Sequence, residues 1–290
     1  MKSGVVLLIG RPNVGKSTLV NTLVGTKVAI TSPKPQTTRF PIRGVYADDR
    51  GEIVFTDTPG IFDKAHDNLA QKINRSTMRT LGSGFDVALY VVDHTRRRDK
   101  EEGKVLGIVR KIEKPVVVAN NKIDNTEQTY MAQYRFLEDE FQNVLRISAL
   151  KDKHLAPLVD LIFDLLPEKD NERLTDERAT LVHPVLNINS RIFISELIRE
   201  KVFLMTGDEI PYSTTAVVDE IVERTPKLTY IKARILTTDA RYRRMLIGTE
   251  ARKVKEIGAY ARKEIELATH KKIFLDLTVE VDKHWQELMT

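Results

Sequence analysis

The sequence contains no cysteine. That excludes disulfide bonds, thiolate metal sites and cysteine nucleophiles, and it fits a reducing cytoplasm. No apolar run approaches the roughly 20 residues that a membrane-spanning helix needs. The apolar run at residues 5–9 is too short for a secretory signal and leads into a glycine-rich loop, so it is expected to be a first strand. There is no internal repeat and no low-complexity segment, and the histidines are scattered without metal-ligand spacing.

What is present fits a globular chain. Its 290 residues suggest two domains of ordinary size, and its composition, 41% hydrophobic and 30% charged, suits a packed core under a polar surface. The net charge of +5 is unevenly spread: between Lys227 and Lys272 there are 13 Lys and Arg against 5 Asp and Glu. A local excess of this size marks a surface for an anionic partner more often than a solvated helix face.

β-Branched apolar runs at residues 5–9, 53–57, 87–93, 116–120 and 144–148 read as buried strands, with an edge strand at 42–47. Helical stretches separate them at 16–24, 68–81, 101–112, 130–141 and 155–166. Strand and helix in alternation imply an α/β domain with a mostly parallel sheet, here residues 1–168. Residues 169–182 open with a polar run and read as a linker. From 183 to 290 the order becomes helix (190–205), strand (215–223), strand (229–237), helix (241–247), helix (251–269), strand (273–281), a smaller α+β domain.

The segment Gly10-Arg11-Pro12-Asn13-Val14-Gly15-Lys16-Ser17 has the phosphate-loop spacing, between a buried strand and a helix. Its backbone N–H groups converge on phosphate oxygens, helped by the positive helix end, and Lys16 adds a point charge. Ser17 offers a hydroxyl to Mg²⁺. The candidate contacts here are Gly10, Asn13, Val14, Gly15, Lys16, Ser17 and Thr18. Asp57-Thr58-Pro59-Gly60 ends a buried strand, with Asp57 placed to hold Mg²⁺ through water and the Gly60 N–H placed for a γ-phosphate.

Asn121-Lys122-Ile123-Asp124 selects the base. A carboxylate at Asp124 accepts from both N1–H and the 2-amino group of guanine, whereas adenine would leave it unpaired. Asn121 is expected on the base edge and the Lys122 stem over the ring. The backbone N–H groups of Ser148, Ala149 and Leu150 are expected at guanine O6. These motifs, in this order, point to GTP and argue against an ATP-using kinase.

With these motifs the chain resembles the translation-factor-related GTPases. The resemblance implies that the loop at 31–41 is a first switch, with Thr38 as a second Mg²⁺ ligand and Thr37 as its neighbouring candidate. The segment after Gly60 would be a second switch. Where small signalling GTPases carry a water-orienting glutamine this chain has Ile61, followed by Phe62. In related members an asparagine in the phosphate loop binds K⁺, and Asn13 stands at the matching place. Asn13, Lys16, Thr38 and Gly60 are thus the candidate catalytic residues, and intrinsic turnover is expected to be slow.

The order of elements in the C-terminal domain is that of a type II KH fold, an RNA-binding module whose Gly-x-x-Gly loop clamps the nucleic-acid backbone. Ile247-Gly248-Thr249-Glu250-Ala251 occupies the loop position. The whole chain is similar to the Era-like GTPases, of the class that also holds TrmE, EngA and EngB, including Lys255-Glu256-Ile257-Gly258 and the closing Asp282-Lys283-His284-Trp285. That resemblance implies GTP and GDP as ligands, binding near the 3′ end of 16S rRNA, and a role in assembly of the 30S subunit. It also implies a monomeric cytoplasmic protein loosely associated with the inner face of the membrane.

The chain departs from the family's usual Gly-Lys-x-Gly in placing Thr249 at the lysine and Ala251 at the last glycine, with Glu250 between them. Arg243, Arg244, Ile247, Gly248, Thr249, Arg252, Lys253 and Lys255 are the candidate RNA contacts, the cations offsetting Glu250. The alternative is an RNA-binding protein that holds nucleotide without significant turnover. A tRNA-modifying GTPase shares the phosphate loop but ends in a cysteine, which this chain lacks. Arg96-Arg97-Arg98 is set aside as a solvated helix start.

Overall fold

The computed structural model describes residues 1–32, 34, 37–61, 68–82, 84–168 and 190–288. The expected linker at 169–182, Phe62 and most of the second switch lie outside the described residues. The chain forms two compact units, Met1–Asn187 and Ile188–Thr290.

The first unit is built on β1 (Lys2–Ile9), α1 (Lys16–Val24), β2 (Ile42–Asp48), β3 (Gly51–Asp57), α2 (Asn68–Gly82), β4 (Val87–Asp93), α3 (Lys100–Val109), β5 (Val116–Asn121), α4 (Phe136–Glu140), β6 (Asn143–Arg146) and α5 (Leu155–Leu165). The sheet order is β2-β3-β1-β4-β5-β6, with β2 antiparallel to β3 and every other pair parallel. Every residue of β4 is buried, as a strand covered on both faces requires. Register fixes the site: Leu8 of β1 lies beside Asp57 and Leu89, so the loops leaving β1, β3, β4 and β5 open on one edge. Ligands of open α/β sheets bind at this carboxyl edge.

One expected helix is wrong in form. Residues 130–141 make a 3₁₀ turn, Met131–Tyr134, followed by the short α4. Tyr134 of the turn and Leu137 of α4 are both buried. The Tyr130 N–H also donates to the His94 carbonyl at 2.7 Å, fixing the entry to the turn from outside.

The second unit contains α6 (Ser190–Met205), β7 (Thr214–Thr225), β8 (Leu228–Thr237), α7 (Ala240–Ile247), α8 (Arg252–Thr269) and β9 (Lys272–Val281). Its sheet runs β7-β8-β9, the first pair antiparallel and the second parallel. Ile257, Ala261 and Ile265 recur at helical spacing and bury one face of α8. Trp285 is fully buried and its Nε1–H donates to the Ser213 carbonyl at 3.1 Å. Among the described residues no helix is long and apolar enough to cross a membrane.

Candidate functional site

The loop between β1 and α1 reverses direction through two residues with positive φ, Asn13 (64°) and Gly15 (100°). A side chain at Gly15 would be strained by that φ and would strike Asn121, its Cβ 2.3 Å from Nδ2. Gly60 is held by proximity instead: a Cβ there would lie 2.5 Å from the Pro12 nitrogen. The end of the Asp57–Gly60 motif therefore lies directly on the phosphate loop.

Each loop carbonyl from Gly10 to Val14 is held by a side chain, two by the loop's own Lys16 and three from outside it. Lys16 Nζ donates to Gly10 O (3.2 Å) and Arg11 O (2.9 Å), Arg96 Nη1 to Pro12 O (3.0 Å), Lys122 Nζ to Asn13 O (2.9 Å) and Asn121 Nδ2 to Val14 O (2.9 Å). With the carbonyls engaged in this way, the loop's N–H groups are left to form an anion-binding nest. Burial lowers the Lys16 ammonium to about 8, the Asp57 carboxylate opposing the fall.

Ser17, Thr38 and Asp57 meet at the first turn of α1. Ser17 Oγ donates to Asp57 Oδ2 at 2.6 Å and lies 2.9 Å from Thr38 Oγ1, which is 3.4 Å from the same carboxylate oxygen. Thr37 is turned away, its hydroxyl donating to Lys34 O at 2.6 Å, so of the two threonines Thr38 faces the cluster. Burial raises the Asp57 carboxyl against the opposing pull of Lys16, Ser17 and Thr38, and its Oδ1 is buried with no hydrogen-bond partner. Two hydroxyls and a carboxylate with an unsatisfied buried oxygen fit a hard dication such as Mg²⁺.

The base-side loops are clasped together. Asn121 Oδ1 accepts from the Ala149 N–H at 2.9 Å while its Nδ2 holds the phosphate loop. The amide expected on the base edge thus joins three segments, with one Nδ2 hydrogen left for a base. Lys122 Nζ lies 2.6 Å from Asp93 Oδ2, which fixes the stem expected to cover the ring. Ser148 Oγ donates to Asp124 Oδ1 at 2.5 Å and orients that carboxylate.

Two of the amides expected at guanine O6 already have partners in this structure. The Ser148 N–H donates to Lys153 O and the Ala149 N–H to Asn121 Oδ1, so both are engaged within the loops. Ile61 is buried in the cluster of Leu7, Ile9, Val105 and Leu106, where it cannot orient water.

Two arginines have roles that the sequence does not announce. Arg11 is fully buried: its Nε lies 2.5 Å from Glu102 Oε2, its Nη1 3.0 Å from Asp99, and its Nη2 donates to Tyr134 at 3.0 Å. Tyr90 donates to the other Glu102 oxygen. Arg96 is not merely solvated, since it holds Pro12 O. An arginine at a variable loop position announces neither role.

In the second unit, Asp239 caps α7 by accepting from the Arg241 N–H at 2.6 Å. After α7 the loop has positive φ at Gly248 (71°), Glu250 (52°) and Ala251 (58°), the last two in the left-handed conformation. The substituted alanine therefore adopts a conformation that glycine takes at no steric cost. Thr249, Arg244 and Arg252 are exposed, and Ile247 is partly buried. Arg243 Nε donates to Val279 O at 3.0 Å, Lys253 lies 3.9 Å from Glu256, and Lys255 Nζ reaches Glu250 O at 3.4 Å. Beside the loop, Val254, Lys255, Gly258 and Arg262 of α8 face Leu275 and Leu277 of β9 across a cleft of about 290 Å³.

Residues 5–122 match the family model described as 50S ribosome-binding GTPase, and residues 209–286 match the KH domain model. GTPase Era of Halothermothrix orenii is 39% identical over 99% of this chain and 95% of its own. GTPase Era of Trichlorobacter lovleyi is 37% identical over 99% and 94%. A variant of Aquifex aeolicus Era bound to GDP and AlF4⁻ superposes with a TM-score of 0.88 at 33% identity, covering 99% of this chain and 96% of that one. Era in complex with MgGDPNP and nucleotides 1506–1542 of 16S ribosomal RNA superposes at 0.87, also at 33% identity, covering 99% and 95%.

Proposed function

The chain belongs to the Era family of GTPases, and from that premise we propose that it is a GTP-driven switch that binds 16S rRNA near its 3′ end during assembly of the small ribosomal subunit. Residues 1–168 form its GTPase domain, 169–182 a linker and 183–290 its KH domain. Its reaction is hydrolysis of GTP to GDP and phosphate. The meeting of Ser17, Thr38 and Asp57 at the head of α1 carries this reading, because it joins the phosphate loop, the first switch and β3 at one point.

The loop N–H groups bind the phosphate chain, and Lys16, drawn from the Gly10 and Arg11 carbonyls, places its charge on the outer phosphates. The Gly60 N–H meets the γ-phosphate. Ser17, Thr38 and Asp57 would hold Mg²⁺, which when bound supplies charge against the developing oxyanions. Asn13 would hold K⁺. Asp124 accepts from guanine, and the backbone N–H groups of the 148–150 loop would meet O6, with the Leu150 N–H as the first candidate because those of Ser148 and Ala149 are engaged within the loops. With Ile61 buried, no described side chain aligns the attacking water, so turnover without a partner is slow.

Rotation of the first switch away from α1 would break the Thr38 contact and carry the nucleotide state outward. RNA is bound by the loop after α7 and by the cleft between α8 and β9, with Arg244 and Arg252 neutralising phosphates. Loose association with the inner membrane face and a monomeric state in the cytoplasm complete the proposal. The test is GTP turnover by the full chain with Mg²⁺ in K⁺ and in Na⁺ buffers. Slow turnover that K⁺ accelerates supports the assignment; absence of turnover in both contradicts the enzyme reading, and equal rates remove the role of Asn13.

A further inference from the structure

Val222 of β7, Tyr230 of β8 and Phe274 of β9 stand in register across the three-stranded sheet. They form an apolar row on the sheet's solvent side: Phe274 is 57% exposed and Val222 38%. The Tyr230 and Phe274 rings lie 5.8 Å apart and within 24° of parallel, and the Arg224 guanidinium sits 4.5 Å over the Tyr230 ring. Tyr230 is fixed further by its hydroxyl, which donates to Asp276 Oδ2 at 3.0 Å. Arginine covers tyrosine, and the phenylalanine beside it presents its ring to solvent.

Charge along the sheet is asymmetric about this row. At the end formed by the β7–β8 turn and the start of β9 stand Arg224, Lys227, Lys271 and Lys272, against Glu223, which pairs with Lys271. The Lys272 N–H donates to the Lys227 carbonyl at 2.9 Å, which holds the two basic segments together. Beyond the row, towards the sheet centre, Lys232 and Arg234 face Asp219, Glu220, Asp276 and Glu280, a net negative set in which Arg234 is bridged to Asp219 and Glu280. An anionic chain is therefore favoured at the turn end and disfavoured across the centre.

We propose that Phe274, braced by Tyr230 and Arg224, is a stacking platform for an unpaired base of single-stranded RNA, whose phosphates run along Arg224, Lys227, Lys271 and Lys272. An open aromatic ring next to a band of cations is the chemistry by which unpaired nucleotides are held without strict sequence preference. The platform lies outside the loop after α7; Phe274 also lines the cleft between α8 and β9, so the platform extends that cleft onto the sheet's solvent side. It rests on the RNA-binding reading above.

The test measures binding of the full-length protein to RNA of nucleotides 1506–1542 of 16S rRNA by fluorescence anisotropy, with turnover and melting temperature as controls. Phe274→Ala should weaken binding by about 5- to 100-fold, the range that loss of one stacked base produces. Phe274→Trp should bind like the wild type, while Phe274→Leu, which keeps apolar bulk, should bind as poorly as the alanine variant. Lys227→Glu with Lys272→Glu should weaken binding and flatten its salt dependence. Wild-type binding left unchanged in Phe274→Ala overturns the platform and leaves the RNA reading standing, as does an equal loss in the alanine and tryptophan variants. Failure of the wild type to bind overturns the RNA reading and the platform with it.

Discussion

At the residue scale two side chains separate the site's chemistry from its support. Asp124, oriented by Ser148, is the group that distinguishes guanine. An asparagine there accepts one hydrogen bond and donates another, so it suits the 2-oxo group of xanthine. Asp124→Asn should weaken GTP binding by about 10- to 100-fold, the value of a lost hydrogen bond to a charged group, and should improve binding of xanthosine triphosphate; competition titration reads both.

Arg11 touches no base, and its removal leaves Glu102 as an unpaired buried charge. Arg11→Met should cost about 3–5 kcal/mol in urea unfolding. Burial already pushes the Glu102 carboxyl up, and Arg11 opposes that. Without Arg11 the folded-state carboxyl rises further above its unfolded value. The folded state then holds more protons, so stability falls as pH rises, and the loss should be larger near pH ~8 than near pH ~5. Adding Glu102→Gln should recover part of it.

At the element scale, the helix-to-helix loop of the second unit keeps a glycine-like backbone without its glycine. Ala251 in a left-handed conformation costs about 1 kcal/mol relative to a residue without a Cβ. Ala251→Gly should raise the melting temperature of the second unit's transition by a few degrees, as about 1 kcal/mol implies. A fall would mean that the unfolded chain's added freedom outweighs the relieved strain. RNA affinity in the same variant, if raised, would show that the alanine methyl also limits close approach of the backbone.

The sheet and most helices were legible because Val-rich buried strands and Gly-Lys-Ser spacing are local signals. The turn at 131–134 was not, because Tyr134 is shaped by its bonds to Arg11 and Arg96, which are distant in sequence. Asp57, Lys16 and Asp124 stand out for the same local reason, as motif residues at or shortly after the ends of strands. Arg11, Arg96 and the aromatic row of the second sheet became visible only when register and burial placed their partners beside them. The hydrogen bonds that engage the Ser148 and Ala149 N–H groups were hidden for a related cause: nothing in Ser-Ala-Leu announces where its amides point.

At the scale of the whole molecule, a GTPase domain and a KH domain lie on one chain, and nucleotide state is expected to govern RNA binding. Removing Mg²⁺ with a chelator should abolish turnover and weaken GTP binding, since the Asp57 carboxylate would again face the phosphates with its buried oxygen unsatisfied. The most direct measurement is crosslinking of the full-length protein to small-subunit RNA, loaded in turn with GDP and with a non-hydrolysable GTP analogue. The expected result is crosslinks near the 3′ end of 16S rRNA whose yield is higher in the analogue state. Crosslinks confined to other regions, or equal yields in both states, would contradict the account.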